Sequence, residues 1–267
     1  MIHAAVAGIG GRMGTRIAQL IRETDGIELA GGFDHPRFDK IGRDLAEVIG
    51  GSPTGITVGA GIDDVLDSAD IVIDFTTASV SLEHLRKAAA RKKAMVVGST
   101  GFSREQLDEA AKIATTAPCL ISPNMSIGVN ILFKMVADAA RLLGETCDIE
   151  IIEAHHRYKK DAPSGTAIKL AQIVAKAMDR DLDKVGVYER HGMIGERTGA
   201  EIGIQTIRGG DIVGEHTVIF AGLGERIELI HRAQSRDNFA RGAIYAAKWI
   251  VKKAPGLYDM SDVLGIK

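Results

Sequence analysis

The sequence predicts an α/β protein in which a doubly wound, mostly parallel sheet is joined to a second, α+β unit. Three observations carry this. The run IHAAVA (2–7) has strand length, and glycines, a helix-periodic segment and a second strand ending in an acid follow it. The same strand–helix alternation continues to about residue 126. Beyond that point the chain turns to short β-rich runs separated by glycine pairs.

The elements follow in order. After the first run, RMGTRIAQLIRET places Met13, Ile17, Leu20 and Ile21 at helical spacing, and the strand Ile27–Phe33 ends at Asp34. DIVIDF (70–75) reads as a buried strand, followed by a helix through Leu82, Leu85 and Ala89. Ala94–Val97 is the next strand and runs into Gly-Ser-Thr-Gly. Ser103-Arg-Glu-Gln106 then forms a capping box that opens another helix. A helix over Ile127–Leu143, a strand over Asp148–Ala154 and a helix from about Thr166 to Met178 come next. The runs Glu201–Arg208, Glu215–Ala221 and Glu225–Ala233 are expected to be antiparallel strands, because glycine turns separate them. A final helix over Phe239–Lys252 stops at Pro255-Gly256 and is expected to return to the first unit. The expected division is 1–126 plus 237–267 as a dinucleotide-binding domain, and 127–236 as a substrate-binding and oligomerisation domain.

Composition narrows the function classes. The 267 residues are 45% hydrophobic and carry a formal net charge of −2, so a nucleic-acid footprint, which needs a basic excess, is not expected. Two cysteines, Cys119 and Cys147, lie among apolar neighbours without metal-ligand spacing, which fits a reducing compartment. No signal-peptide pattern opens the chain and no apolar run approaches a membrane span. A soluble, cytoplasmic protein is the expectation.

Gly8-Ile9-Gly10-Gly11-Arg12-Met13-Gly14 lies between the first strand and the first helix. Glycines there let backbone N–H groups approach a pyrophosphate at a helix N-terminus. The usual spacing is broken, because Met13 takes the third glycine position and Gly14 comes one residue late. Asp34, about twenty residues on, is placed to bind ribose hydroxyls. Phe75-Thr76 and Gly98-Ser99-Thr100 end later strands, where ligands of open α/β sheets bind. A purely structural turn at each of these points is the competing reading.

The stretch EAHHRYKKDAPSGTA (153–167) concentrates chemistry. Neighbouring residues of an extended segment point to opposite sides, so His155 and His156 are not expected to share a metal. Glu153 shares a face with His155, but two ligands make no site and no third is evident, so no metal is expected. A solvated loop is the bland alternative. The catalytic reading has histidine exchanging a proton near neutral pH, lysine supplying charge and a proton, and Ser164-Gly165-Thr166 opening a helix as a carboxylate cradle.

These residues resemble a known family, the 4-hydroxy-tetrahydrodipicolinate (dihydrodipicolinate) reductases of bacterial lysine and diaminopimelate biosynthesis. The resemblance rests on GIGGRMG (8–14), GSTGF (98–102), NMSIGVN (124–130), EAHHRYKKDAPSGTA (153–167) and GDIVGEHT (210–217), in that order across nearly the whole chain. It implies a Rossmann-type domain, NADH or NADPH as cofactor without a metal, a cyclic unsaturated dicarboxylate as substrate, and a homotetramer built through the second domain. By match to the motif, His155 and Lys159 would exchange protons. His156, Ser164, Gly165, Thr166 and Arg236 would bind substrate. Gly8, Ile9, Gly10, Gly11, Arg12, Met13, Asp34, His35, Phe75, Thr76, Gly98, Ser99, Thr100, Ser122, Pro123, Asn124 and Met125 would line the cofactor. Met125 stands where the family commonly has phenylalanine, and Asp34-His35 where an acid and an arginine are common. Both substitutions bear on cofactor contact. The rival readings are another two-domain dehydrogenase, separable by its substrates, and a nucleotide-binding redox sensor, which would turn nothing over.

Overall fold

A computed structural model describes residues 1–266. In chain order the elements are β1 Ile2–Ala7, α1 Arg12–Arg22, β2 Ile27–Phe33, α2 Ala46–Ile49, β3 Val58–Gly59, β4 Ile71–Asp74, α3 Ala78–Ala90, β5 Ala94–Val97, α4 Arg104–Ile113, β6 Pro118–Ile121 and α5 Ile127–Leu143. They continue with β7 Asp148–His155, α6 Gly165–Ala177, α7 Leu182–Val185, β8 Gly186–Val187, β9 Ile202–Arg208, β10 Gly214–Ala221, β11 Arg226–Ala233, α8 Asp237–Ile250, β12 Gly256–Tyr258 and α9 Met260–Leu264. Two compact units result: Met1–Ile127 with Asp237–Lys267, and Gly128–Arg236.

In the first unit all seven strands pair in parallel, in the order β12-β6-β5-β4-β1-β2-β3. Strand order reverses between β1 and β4, and the loops leaving their carboxyl ends flank the crevice where such sheets bind ligands. Period-two alternation sorts the core. Ala4, Val6, Ile71 and Ile73 pack on one side with Ile17, Leu20 and Ile21 of α1 and Ala243, Ala247 and Ile250 of α8. Ala5, Ala7 and Val72 face the other side with Leu82 and Leu85 of α3 and Ala110 of α4. The final helix does return to α1, where Arg16 Nε and Nη2 donate to both oxygens of Asp237 at 2.8 and 2.6 Å. The capping box forms in both directions between Ser103 and Gln106.

The second unit holds a five-stranded sheet in the order β11-β10-β7-β9-β8. The expected antiparallel pairing holds for β10 with β11, and β9 also runs opposite to β10, but β7 lies between them, pairing antiparallel with β10 and parallel with β9. The reason is topological. The chain passes from β7 to β9 by way of α6, a crossover that returns it in the same direction. Residues 209–213 then step over the end of β7, with the Gly209 N–H donating to His155 O at 2.9 Å. Helices α5 and α6 cover one face through Leu132, Val136, Leu170 and Val174 against Ile149, Ile151, Val218 and Phe220.

Candidate active site

The glycine turn of the first unit has the tight geometry that a phosphate-binding turn needs, in a shifted register. Gly8 takes a positive φ of 63°, and the Gly11 N–H closes the turn on Gly8 O at 2.9 Å. A Cβ on Gly14 would stand 2.1 Å from Gly8 O, so Gly14 is the residue that lets α1 pack on the strand end. The effective glycines are therefore Gly8, Gly11 and Gly14, and the displaced third glycine read from the sequence is no defect. Gly11 caps α1 without a side-chain hydrogen bond, which leaves N–H groups of the first turn for an anion. Asp34 is bound into the turn: its Oδ2 accepts from Gly10 N at 2.9 Å and its Oδ1 from His35 N at 2.8 Å. Gly8, Gly11, Arg12, Met13 and Asp34, with Phe75 and Thr76 from the end of β4, line one groove of about 340 Å³. These residues fit a dinucleotide.

The other residues read as cofactor contacts are placed less uniformly. Ile9 is fully buried in the core, so only its backbone belongs to the turn. The Met125 side chain is 1% exposed and joins the same core, with Gly242 against its carbonyl. The Met125 side chain is thus taken up by packing, and a side-chain contact with a ligand is not what this position offers. Ser99 is buried and bonds Ser81 Oγ at 2.7 Å, while Thr100 is exposed. A Cβ on Gly98 would lie 2.2 Å from the Phe75 ring, so the two loops interlock there. Ser122 Oγ donates to Asn124 O at 3.0 Å, and Asn124 Oδ1 accepts from Ser126 N at 2.9 Å, with Pro123 exposed beside them. His35 is exposed, and its Nδ1 accepts from Arg37 N.

Behind Thr76 lies a group the sequence reading passed over. Asp74, fully buried, accepts from Thr76 N and Oγ1 at 2.8 and 2.7 Å and lies 2.7 Å from His84 Nδ1. The His84 ring meets Phe33 edge-on.

In the second unit the 153–167 stretch closes around Glu153, which is fully buried in β7. His155 Nδ1 lies 2.6 Å from Glu153 Oε2, and the Arg208 fork reaches both oxygens at 2.8 Å. Burial alone would raise the Glu153 carboxyl. The Arg208 fork, His155 and the Ser164 N–H outweigh it and hold the group at about 2. Burial lowers His155 from its ordinary value against the opposing pull of Glu153, with Lys159 and Arg208 adding to the fall. Lys159 Nζ pairs with Asp161 at 2.9 Å. His156 Nε2 lies 3.4 Å from Arg236 Nη2, which brings those two residues together.

Ser164 caps α6 and its Oγ accepts from Ala167 N at 3.2 Å. Its Oγ also lies 3.0 Å from Nε2 of buried His216, whose ring stands edge-on to His155. Burial first, then the charge of His155, pushes His216 down to about 3. Ser164 is thus turned inward, and Gly165, with open space around it, is exposed at the helix mouth beside Thr166. Arg208 and His216 contact the candidate site residues and were missed by sequence reasoning. The run GDIVGEHT (210–217), one of those that carry the resemblance, holds His216 and was the usable signal. Among the described residues no group of three or more His, Cys, Asp or Glu side chains could hold a metal ion.

A parallel sheet with this strand order, a three-glycine turn and an acid beside it defines the class: a dinucleotide-binding α/β enzyme, here with a second unit rich in proton-exchanging side chains. Residues 2–125 match the sequence family described as dihydrodipicolinate reductase, N-terminus, and residues 128–264 match its C-terminal counterpart. The chain belongs to the dihydrodipicolinate reductase family. It is 71% identical, over all of both chains, to a 4-hydroxy-tetrahydrodipicolinate reductase of Syntrophobacter fumaroxidans, and 53% identical over the same span to that of Syntrophus aciditrophicus. A dipicolinate-bound dihydrodipicolinate reductase from Paenisporosarcina sp. superposes with a TM-score of 0.78 at 25% identity, over 97% of each chain. An amine dehydrogenase from Mycobacterium smegmatis, with a TM-score of 0.61 and 15% identity over 96% of this chain and 94% of that one, shares the fold.

Proposed function

We propose that this chain reduces 4-hydroxy-tetrahydrodipicolinate to tetrahydrodipicolinate with NADH or NADPH, in lysine and diaminopimelate biosynthesis. The observation that carries the reading is the Glu153–His155 pair beside the open N-terminus of α6, a proton-exchanging group next to a carboxylate cradle. When bound, the nicotinamide nucleotide supplies a hydride. The Gly8–Gly14 turn and the first turn of α1 hold its pyrophosphate, and Asp34 accepts from its adenosine ribose. Phe75 and Thr76 close the groove from the β4 side.

On the substrate side, Gly165 and Thr166 at the α6 N-terminus bind one carboxylate, aided by the partial positive charge of the helix end. His156 and Arg236 add donors for a second anionic group. His155 takes up a proton from solvent and delivers it to the substrate, which balances the hydride. Lys159, steadied by Asp161, is a second donor, which the loss of the 4-hydroxyl as water requires.

The chain acts as a homotetramer in the cytoplasm. Supporting the assembly, the face of the second sheet turned away from α5 and α6 exposes Ile207 and Ile230, each about half accessible, with Ile152 and Ile219 on the same face by register. Two free cysteines fit a reducing compartment, and among the described residues no helix is long and apolar enough to cross a membrane.

A coupled assay tests the reaction. Aspartate semialdehyde and pyruvate are condensed enzymatically, and NADH and NADPH consumption is followed on adding the protein. Consumption that needs both precursors is expected; none above the enzyme-free rate would overturn the reading. Light scattering of the 28.5 kDa chain tests the assembly.

A further inference from the structure

Glu153 does more than neighbour His155. Its Oε2 accepts from His155 Nδ1 at 2.6 Å and Arg208 Nη1 at 2.8 Å. Its Oε1 accepts from Arg208 Nη2 at 2.8 Å, Ser164 N at 2.9 Å and Thr206 Oγ1 at 3.3 Å. The donors come from β7, from β9 and from the cap of α6, so one fully buried carboxylate joins three elements. Arg208 Nη2 also donates to Asp161 O at 2.7 Å, which ties down the loop that carries Lys159.

An ionised carboxylate only accepts hydrogen bonds. The imidazole nitrogen facing it must therefore carry the proton. Among the described residues no hydrogen-bond partner faces the other nitrogen, Nε2, and Gly214 leaves that side open, since a Cβ there would lie 3.1 Å from it.

Resting on the function proposed above, we infer that Glu153 is a positioning residue with two linked tasks. It fixes His155 in the Nδ1–H tautomer, so that Nε2 is the atom that exchanges the proton. Through the Ser164 N–H it also holds the mouth of α6, with Gly165 and Thr166, in register with that nitrogen. Proton exchange and carboxylate binding are thereby set by the same side chain, and neither can shift without the other.

Thr206 and the two nitrogens of Arg208 present donors to both oxygens, which suits a carboxylate. Replacing it by an amide removes the obligation. In Glu153→Gln the side chain would present one oxygen and one NH₂, and the NH₂ would face a donor, either Arg208 or His155 Nδ1. The ring would then gain by turning the Nδ1 lone pair toward the amide.

Histidine-selective nitrogen-15 NMR of the full chain near neutral pH reads the tautomer directly, with His155→Gln assigning the signal. The parent is expected to show His155 protonated at Nδ1 with a bare Nε2. Glu153→Gln is expected to lose that pure signature. Its kcat should fall at least about tenfold, as expected for a mispositioned proton-exchanging group, while substrate KM rises. NADH affinity, read by fluorescence, should stay unchanged. A merely structural role would leave the tautomer unmoved. A parent spectrum with the proton on Nε2 overturns the inference whether or not the variant folds, and so does a folded Glu153→Gln with the parent's tautomer. If instead His155→Gln kept parental turnover, the proton role proposed for His155 would fall while the tautomer result stood.

Discussion

His84 Nδ1 lies 2.7 Å from Asp74 Oδ2, and that pair stands behind the loop lining one side of the nucleotide groove. Asp74 is fully buried, and its other oxygen holds both the N–H and the hydroxyl of Thr76. Removing the imidazole leaves a buried carboxylate short of a partner. A hydrogen bond to a charged group contributes about 1.5–3 kcal/mol. His84→Ala should therefore lower Tm by several degrees and weaken NADH binding, while the variant's secondary structure is kept. Parental Tm and NADH affinity in that variant would show that the pair does not hold the Thr76 loop.

Glycine substitutions separate packing from ligand binding. Gly14→Ala places a methyl 2.1 Å from Gly8 O, against backbone that cannot rotate away. Overpacking of this kind typically costs about 1–3 kcal/mol, and the displaced turn should bind NADH poorly. Gly165→Ala meets nothing within 4 Å, so its Tm should match the parent. Its methyl would nonetheless crowd a carboxylate at the α6 mouth and raise the substrate KM. Thermal melts with steady-state kinetics decide both, and a Gly165→Ala enzyme with parental KM would place the substrate elsewhere.

The periodic parts of this fold were legible, and the parts that depend on remote partners were not. Met13, Ile17, Leu20 and Ile21 marked α1 because its buried face repeats locally, and Ser103 and Gln106 marked the cap because their contact spans three residues. β6, four residues opening with Pro118, is too short to show a period, as are the two-residue strands β3 and β8. The neighbour of β9 was not legible, because glycine turns suggest hairpins between successive strands, whereas Gly209 and Gly210 carry the chain across β7. At the site, His155 and Lys159 stood out by residue type. Arg208 and His216 did not, since they reach Glu153 and Ser164 from 55 and 52 residues away.

Acid should destabilise the protein through two buried groups whose native forms resist protonation. His216 is held down to about 3, against roughly 6.5 in an unfolded chain. Between those values the unfolded state takes up a proton that the folded state refuses, so stability falls as pH falls through that window. Glu153, at about 2 against roughly 4.3 unfolded, adds a second loss at lower pH. Differential scanning fluorimetry from pH 7 to pH 4 should show a falling Tm, with a shallower slope in His216→Gln. Parallel slopes would mean that His216 does not carry the effect.

Loss of a positioned proton donor typically costs about 10²–10⁴-fold in rate. His155→Gln and Lys159→Met should each lower kcat at least about tenfold with NADH affinity nearly unchanged. The pairing of Lys159 with Asp161 at 2.9 Å adds a control: Asp161→Asn frees the ammonium without removing it and should cost less than Lys159→Met. Parental turnover in either His155→Gln or Lys159→Met would remove that residue from proton exchange.

With the nucleotide in the Gly8–Gly14 turn as proposed, the choice between cofactors should turn on how firmly Asp34 is held. Its carboxylate accepts from Gly10 N and His35 N, and its side chain is only 14% exposed, so it cannot swing aside without breaking both bonds. An adenosine ribose finds an acceptor there for its 2′-hydroxyl, whereas a 2′-phosphate meets a fixed like charge. Against this stand Arg12, exposed at the start of α1, and the exposed His35 and Arg37. Arg12 lines the same groove as Asp34 and is the base best placed to reach a phosphate. A carboxylate anchored by two backbone donors opposes the phosphate at no cost in side-chain ordering, while a mobile guanidinium must be ordered to offset it. NADH should therefore be used at least as well as NADPH, with both accepted. Asp34→Ala should move the ratio of kcat/KM toward NADPH, and Arg12→Ala should move it the other way. A parental preference for NADPH above tenfold, or an Asp34→Ala enzyme with an unchanged ratio, would show that Asp34 does not set the choice.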